Sequence, residues 1–240
     1  MTSSTRSKPG TPKPHWLARH PRWGVVVMLA GAVAFIALAF NVRTDGPLTA
    51  WDKPVAESLH ERAINGSELA RKAAIFTGTF GKESAGIILA VLIVYCLLRR
   101  QWRPLSMLVL GVLGGNTWFE VLSRFFQRHR PVFPDPLDPL PGPGFPSGHS
   151  MMAFLLYGLV AYLAMPRLSR AWRWVVGIAA MVAPLLVGFS RMFLGAHYLT
   201  DILGGYTFGL FWGGLVYTTL EVFYYRRAVR KAAALAAFVS

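Results

Sequence analysis

Six apolar segments without a charged side chain constrain this chain more than any other feature. A transmembrane helix needs about 20 mostly apolar residues, and about 17 to 25 is the usual range. The segments comprise residues 23–42, 84–98, 104–118, 150–166, 174–190 and 202–220, of which the second is short. The sequence therefore predicts an all-α protein, a polytopic membrane helical bundle with six transmembrane helices within residues 23–225.

The segments that flank this bundle are polar and basic. We expect residues 1–22 to form a disordered cytoplasmic tail, because prolines alternate there with Ser, Thr and Lys. Residues 226–240 are expected to form a basic cytoplasmic C-terminal tail. The first apolar segment favours an uncleaved anchor over a signal peptide, because its polar leader is long and no small-residue cleavage site follows. Residues 73–81 are apolar but too short to span, which predicts an interfacial segment or an extension of the second span.

Composition supports lipid as the solvent of this chain, since 54% of its residues are hydrophobic and only 15% are charged. In a soluble protein a net charge of +14 would suggest a nucleic-acid partner. No basic helix or aromatic RNA-binding platform is present in the sequence, so nucleic acid is not an expected partner. The single cysteine, Cys96, excludes an intramolecular disulfide and a thiolate metal site. With no metal-ligand spacing or nucleotide-binding glycine motif, we expect no metal and no cofactor.

Basic residues near the span ends predict the orientation, because cytoplasmic loops carry an excess of Lys and Arg. With the N-terminus inside, four cytoplasmic segments are basic. They contain Arg19, Arg22, Arg99, Arg100, Arg103, Arg167, Arg170, Arg173, Arg226, Arg227, Arg230 and Lys231. One external region breaks the pattern, at Arg124, Arg128 and Arg130 after the third span. The positive-inside bias does not explain the position of these three arginines.

Three polar clusters fall on the external side of this topology. They are SRFFQRHRP at 123–131, FPSGHS at 145–150 and SRMFLGAHYLTD at 190–201. The first two lie between spans three and four, and the third lies between spans five and six. A helical bundle can therefore bring all three together at one membrane face.

The clusters resemble the motifs of the type 2 phosphatidic acid phosphatase superfamily, here its membrane lipid phosphatase branch. The family pattern is Lys-x6-Arg-Pro, then Pro-Ser-Gly-His, then Ser-Arg-x5-His-x3-Asp. The second motif is complete at 146–149, and the third is complete at Ser190, Arg191, His197 and Asp201. The first matches at Arg130 and Pro131, but Ser123 stands at the lysine position.

The residue types in these motifs suit phosphoryl transfer, in which negative charge spreads over the phosphate oxygens. Arg130 and Arg191 offer planar forks that match phosphate geometry. Ser147 and Gly148 precede an apolar helix, whose N-terminal N–H groups and dipole favour an anion, and glycine permits close approach. Ser190 is a further candidate phosphate ligand. Arg124 and Arg128 remain open between membrane anchor and phosphate contact.

His197 and Asp201 are four residues apart, which places them on one face if a helix includes both. A carboxylate bonded to one ring nitrogen would leave the other nitrogen free to attack phosphorus. Taken singly, a histidine at a membrane face is more often an interfacial residue. The resemblance implies that His197 becomes a phosphohistidine, that Asp201 orients it, and that His149 protonates the leaving oxygen and then activates water.

Ser123 is the departure from the family pattern that matters most, because it removes a positive charge. Arg124 lies about 100 degrees around a helix from that position and cannot simply replace the lysine; Arg128 is better placed. Reduced activity, altered substrate choice and an inactive relative all stay open. Seven prolines between 131 and 146 predict a stiff connection that carries Arg130 toward His149.

The sequence thus predicts a metal-independent phosphatase that acts on a lipid phosphate or diphosphate in the bilayer. If the chain is bacterial, the resemblance favours undecaprenyl diphosphate, followed by phosphatidic acid and phosphatidylglycerol phosphate, with the active site on the periplasmic face of the inner membrane. The alternatives are a lipid phosphotransferase and a non-catalytic lipid-phosphate binding or transport protein. The oligomeric state is not indicated.

Overall fold

The computed structural model describes residues 14–80 and 82–239, and every regular element in this part of the chain is helical. The helices are α1 (Trp16–Arg19), α2 (Pro21–Thr44), α3 (Asp52–Asn65), α4 (Ser67–Phe80), α5 (Lys82–Leu98), α6 (Trp102–Phe126), α7 (Gly148–Ala164), α8 (Arg170–Phe193) and α9 (Leu199–Val239). Short 3-10 turns lie at Pro47–Trp51 and Met165–Arg167, and α6 contains a π-helical stretch at Met107–Leu113. The predicted all-α class is confirmed.

Four of the described helices are long and apolar enough to cross a membrane: α2, α6, α7 with its following turn, and α8. Each contains one of the predicted spans. The other two predicted spans also fall within helices, but α5 has a shorter apolar part, Ala85–Leu98. In α9 the apolar residues are diluted by Gly, Tyr and Thr between 204 and 219. Length and composition therefore support four of the six spans.

Part of the N-terminal segment that the sequence predicts to be disordered is helical. Residues 1–13 of the expected disordered tail lie outside the described residues, but Trp16–Arg19 forms a helical turn and α2 begins at Pro21. The reason is apolar contact, because Trp16 and Leu17 line a groove together with Gly213 and Tyr217 of α9. At the other end, the basic residues from 226 onward continue α9 to Val239.

The main core of the bundle lies between α5, α6, α7 and α9. Its buried side chains include Leu89, Met107, Leu108, Val112, Met151, Leu155, Leu156, Leu159 and Phe208. Glycines bring the helices close together. A Cβ at Gly31 of α2 would lie 2.4 Å from the backbone nitrogen of Phe211, and one at Gly205 would lie 2.5 Å from the carbonyl oxygen of Ser147. The second contact fixes the start of α7 against the start of α9.

The ends of four helices meet at one end of the bundle and carry the three polar clusters. The backbone N–H of Ser147 donates to the carbonyl of Asp201 at 2.9 Å, which ties α7 to α9. The loop between α6 and α7 closes on itself where the N–H of Gly144 donates to the carbonyl of Arg128 at 2.7 Å. A smaller cluster of Ala63, Ala70 and Phe193 joins α3 and α4 to the end of α8. Helix α3 therefore packs beside the same end.

Candidate active site

His197 and Asp201 form a buried pair at the start of α9. The histidine is 1% exposed and the aspartate is fully buried, and Nδ1 of His197 lies 3.5 Å from Oδ2 of Asp201. The same Oδ2 accepts the backbone N–H of Tyr198 at 2.9 Å, which is the reciprocal bond of a helix capping box. Asp201 is thereby locked in the first turn of α9, with its carboxylate toward the ring.

Arg130 faces the other nitrogen of the same ring. Its Nη1 lies 2.9 Å from Nε2 of His197 and 3.4 Å from Nδ1. Arginine has no acceptor, so the closer ring nitrogen must supply the lone pair. The ring proton then belongs on Nδ1, toward Asp201. Arg130 also donates to the carbonyls of Gly142, Pro143 and Ala196, so most of its donors already hold the surrounding loops together.

Arg191, at the end of α8, has a different environment. Its side chain is 3% exposed, and Nη1 lies 2.6 Å from Oδ2 of Asp138 in the proline-rich loop. Its Nε and Nη2 are buried and have no hydrogen-bond partner among the described residues. Buried N–H groups are rarely left unpaired in native proteins. This fork can therefore accept further anionic oxygens.

Burial lowers the pKa of His197 below its ordinary value of 6.5, and the charges of Arg130 and Arg191 lower it further. The hydrogen bond and the negative charge of Asp201 oppose this shift. The net effect favours the neutral ring, which is the nucleophilic form. Burial also lowers the pKa of Arg130, as does its repulsion from Arg191.

The start of α7 supplies the second motif. Ser147 is the N-cap, and its Oγ accepts the N–H of Ser150 at 3.5 Å and the hydroxyl of Ser150 at 3.1 Å. His149 is the second residue of the helix and is 8% exposed. The Cβ position of Gly148 points at the ring of Phe119, with the nearest carbon at 2.9 Å. Helix packing therefore requires glycine at this position, and the close approach of an anion to Gly148 stays a prediction.

Three residues of the first and third motifs either face solvent or bond to the carbonyls of their own helix. Arg124 is exposed. Ser123 is 4% exposed, and its hydroxyl donates to the carbonyl of Glu120 within its own helix at 3.2 Å. Ser190 is buried, and its hydroxyl donates to the carbonyl of Val187 at 2.8 Å. Ser190 nevertheless lies beside Arg191 in the chain.

Arg128 pairs with carboxylates. Its Nη1 lies 2.5 Å from Oδ1 of Asp201, and its Nη2 lies 2.6 Å from Oδ2 of Asp52 in α3. Burial alone would lower the pKa of Arg128, but Asp201 and Asp52 raise it above its ordinary value. Sequence reasoning had left this side chain open between anchor and phosphate contact, and had missed Asp52, Thr200 and Asp138 altogether.

Residues 14–80 and 82–239 contain no group of three or more His, Cys, Asp or Glu side chains arranged to hold a metal ion.

The sequence of residues 102–225 matches the profile of the PAP2 superfamily. The chain belongs to the PAP2 superfamily. A transmembrane PAP2-type phosphatidylglycerolphosphate phosphatase from Bacillus subtilis has a similar crystal structure, with a TM-score of 0.67 and 28% sequence identity. The match covers 85% of this chain and 96% of that one. Together with the apolar helices, this likeness identifies the chain as an integral membrane protein.

Three curated relatives show similar sequences. Phosphatidylglycerophosphatase B of Bacillus subtilis is 41% identical over 116 residues, which are 47% of this chain and 55% of that protein. Undecaprenyl-diphosphatase of Sulfolobus acidocaldarius is 29% identical over 56% of this chain and 63% of that protein. Lipid A 4'-phosphatase of Porphyromonas gingivalis is 30% identical over 52% of this chain and 50% of that protein. The matched part spans roughly half to two thirds of these relatives.

Proposed function

We propose that this protein is a membrane phosphatase that hydrolyses a lipid phosphate or diphosphate through a phosphohistidine at His197. The observation that carries the proposal is the arrangement around that ring. Asp201 lies on the Nδ1 side, and Arg130 lies 2.9 Å from Nε2. The neighbouring Arg191 has two buried nitrogens, Nε and Nη2, without a hydrogen-bond partner among the described residues. The first two contacts orient a nucleophile, and the third offers donors for a phosphate.

The chemistry follows from these positions. When substrate binds, Nη1 of Arg130 transfers from Nε2 of His197 to a phosphoryl oxygen, which frees the lone pair of Nε2. Nε2 then attacks phosphorus and forms the N–P bond, while the bond to the lipid oxygen breaks. His149 donates a proton to that leaving oxygen and then accepts one from water. The water oxygen bonds to phosphorus as the N–P bond breaks, which releases inorganic phosphate and restores His197. Arg130 and Arg191 stabilise the charge on the phosphoryl oxygens. The N–H groups at the start of α7, with Ser147, are expected to hold another oxygen.

Asp138 occupies one position of the Arg191 fork before substrate binds. Its carboxylate lies 2.6 Å from Nη1 and is 30% exposed, whereas the arginine is nearly buried. A carboxylate and a phosphate present similar oxygens to an arginine fork. An incoming phosphate is therefore expected to displace Asp138, while Nε and Nη2 of Arg191 gain acceptors.

The substrate class follows from the membrane environment and the relatives. Candidate substrates are phosphatidylglycerol phosphate, phosphatidic acid and undecaprenyl diphosphate. Identity of 41% to phosphatidylglycerophosphatase B and 29% to undecaprenyl-diphosphatase supports testing the first and third side by side. The preference for undecaprenyl diphosphate from motif resemblance remains a prediction.

The full topology has six spans, including α5 and the first part of α9, with the site on the external face of a bacterial inner membrane. The test uses Val132, which is 91% exposed in the α6–α7 loop, and Ala171, exposed at the start of α8. In a Cys96→Ser background, an impermeant maleimide should label Val132→Cys but not Ala171→Cys in intact bacterial cells. If only Ala171→Cys is labelled, the topology is the opposite of the one proposed.

Purified protein tests the activity. Phosphate release from the three lipids is measured in detergent with excess chelator, for the wild type and for His197→Ala. The wild type should release phosphate and the variant should not. If the wild type releases none from any substrate, hydrolysis is contradicted, and transfer to an alcohol becomes the next assay. Release only with added divalent metal would contradict the metal-independent mechanism.

A further inference from the structure

A buried carboxylate outside the PAP2-matched region contacts the machinery described above. Asp52 is the first residue of α3, whereas the family match begins at residue 102. Its side chain is 3% exposed. A buried charge is costly unless it is paired and hydrogen-bonded. The partners of Asp52 therefore indicate what it does.

Both oxygens of Asp52 are engaged by the first turn of α9 and by Arg128. Oδ1 accepts the backbone N–H of Thr200 at 2.9 Å. Oδ2 accepts the hydroxyl of Thr200 at 2.6 Å and Nη2 of Arg128 at 2.6 Å. The first N–H groups of a helix have no partner within the helix, so Asp52 caps α9 from another element.

Arg128 continues the connection to the catalytic pair. Its Nη1 donates to the hydroxyl of Thr200 at 2.6 Å and to Oδ1 of Asp201 at 2.5 Å. The other oxygen of Asp201 faces His197. The guanidinium is also stacked over the ring of Tyr198, with Cζ 4.9 Å from the centroid. Asp52, Arg128 and Asp201 thus form a continuous line of charges that ends at the imidazole.

We infer that Asp52 is a positioning residue for phosphoryl transfer: it holds Arg128 and the first turn of α9 so that Asp201 presents its Oδ2 to His197. Without Asp52, Arg128 has one carboxylate partner where it now has two, and it draws Asp201 more strongly. This change misaligns the carboxylate that fixes the imidazole, while the phosphate fork of Arg191 stays intact.

The inference rests on the proposed phosphatase activity, and the test separates the two. Steady-state phosphate release is measured for the wild type, Asp52→Asn, Asp201→Asn and the double variant. Glu61→Gln is the control, because Glu61 is an exposed carboxylate on the same helix and the charge change is identical. An inactive wild type would contradict the proposed function, whereas a wild-type rate in Asp52→Asn would contradict the inference alone.

The kcat of Asp52→Asn should fall about tenfold to a hundredfold, the range known for outer partners of metal-binding histidines. KM should change less than about threefold, because the loss arises in the transition state. The kcat of the double variant should lie within about threefold of that of Asp201→Asn, because the effects of residues that act through one another are not additive. Glu61→Gln should keep the wild-type kcat.

Multiplicative losses in the double variant, or a change confined to KM, would overturn the inference. If Asp52→Asn does not yield monodisperse protein, Thr200→Val takes its place in the same cycle. That variant removes the hydroxyl that joins Asp52 to Arg128 without changing volume or charge. The same fall in kcat and the same non-additivity with Asp201→Asn are expected, and independence from Asp201 would overturn the inference.

Discussion

Nη1 of Arg191 lies 2.6 Å from Oδ2 of Asp138, so a loop carboxylate is bound to an arginine that we propose as a phosphate ligand. The side chain of Arg191 is 3% exposed, and its Nε and Nη2 are buried without a hydrogen-bond partner among the described residues. A phosphate that binds this fork would compete with Asp138. We therefore expect Asp138 to set part of the affinity of the site for anions.

Replacement of Asp138 by Asn should strengthen anion binding. A charge-assisted hydrogen bond contributes about 1.5–3 kcal/mol, so partial loss of the competitor should lower KM and the inhibition constant of orthovanadate by about three- to tenfold. Inhibition by orthovanadate at constant pH and salt measures this effect. Asp135→Asn is the control, because Asp135 is exposed in the same loop. Equal affinities in the wild type and Asp138→Asn would show that the ion pair does not compete with substrate.

Arg191→Lys should lower kcat/KM by about a hundredfold or more, the loss typical when one donor to a developing oxyanion is removed. Lysine keeps the charge but lacks the planar fork of arginine. The Nε and Nη2 of that fork have no hydrogen-bond partner among the described residues and are the proposed phosphate donors. Initial rates on a lipid phosphate give the comparison. Arg124→Lys is the matched control, because Arg124 is exposed and should show the wild-type rate. A similar loss in both variants would show that the effect is not specific to the guanidinium of Arg191.

The acid side of the pH profile should reflect the environment of His197. Burial lowers its pKa below 6.5, so the ring stays neutral when the pH falls to that value. The acid limb of kcat/KM, which reports the free enzyme, should therefore lie below pH 6.5. Asp201→Asn should move the limb further down, because that carboxylate raises the pKa of the ring.

His129→Gln is the control for this profile, since His129 is exposed. Its acid limb should coincide with that of the wild type. An acid limb at or above pH 6.5 in the wild type would contradict a buried, neutral nucleophile.

Ser123→Lys should raise turnover, because it restores the cation of the family motif near a reaction that accumulates negative charge. The serine is buried in α6, and its hydroxyl donates to the carbonyl of Glu120 in the same helix. The flexible stem of lysine is needed to carry a charge from there to the phosphate. Comparison of kcat with that of Ser123→Ala isolates the charge. An unchanged or lower kcat in the lysine variant would show that the site already has its full set of cations.

The sequence predicted the all-α class and four membrane-spanning helices, because apolar segments of this length allow little but helices. It also predicted that His197 and Asp201 lie together, but through a shared helical face. In the structure α9 begins at Leu199, and Asp201 approaches the ring from the first turn of the helix while it accepts the N–H of Tyr198. The contact between Arg128 and Asp52 was not predictable, because Asp52 lies 76 positions away in the chain and has the sequence context of an ordinary surface carboxylate. Asp135 and Asp138 are also indistinguishable in a proline-rich loop until its path is known.

Gly148 shows a different limit of sequence reasoning. A glycine before a helix in a phosphate motif suggests an approach for an anion, yet its Cβ direction is filled by Phe119. Helix packing and ligand binding make the same demand on the sequence. The position of the Phe119 ring shows that packing makes this demand, and anion binding at Gly148 stays a prediction.

The most direct test of the account is detection of the phosphoenzyme. Wild-type protein in excess chelator is mixed with a lipid phosphate, quenched in alkali during turnover to preserve the acid-labile N–P bond, and digested for mass spectrometry. The account predicts a phosphate on the peptide that contains His197, and none in His197→Ala. Steady phosphate release with no adduct, or an adduct on another residue, would contradict it.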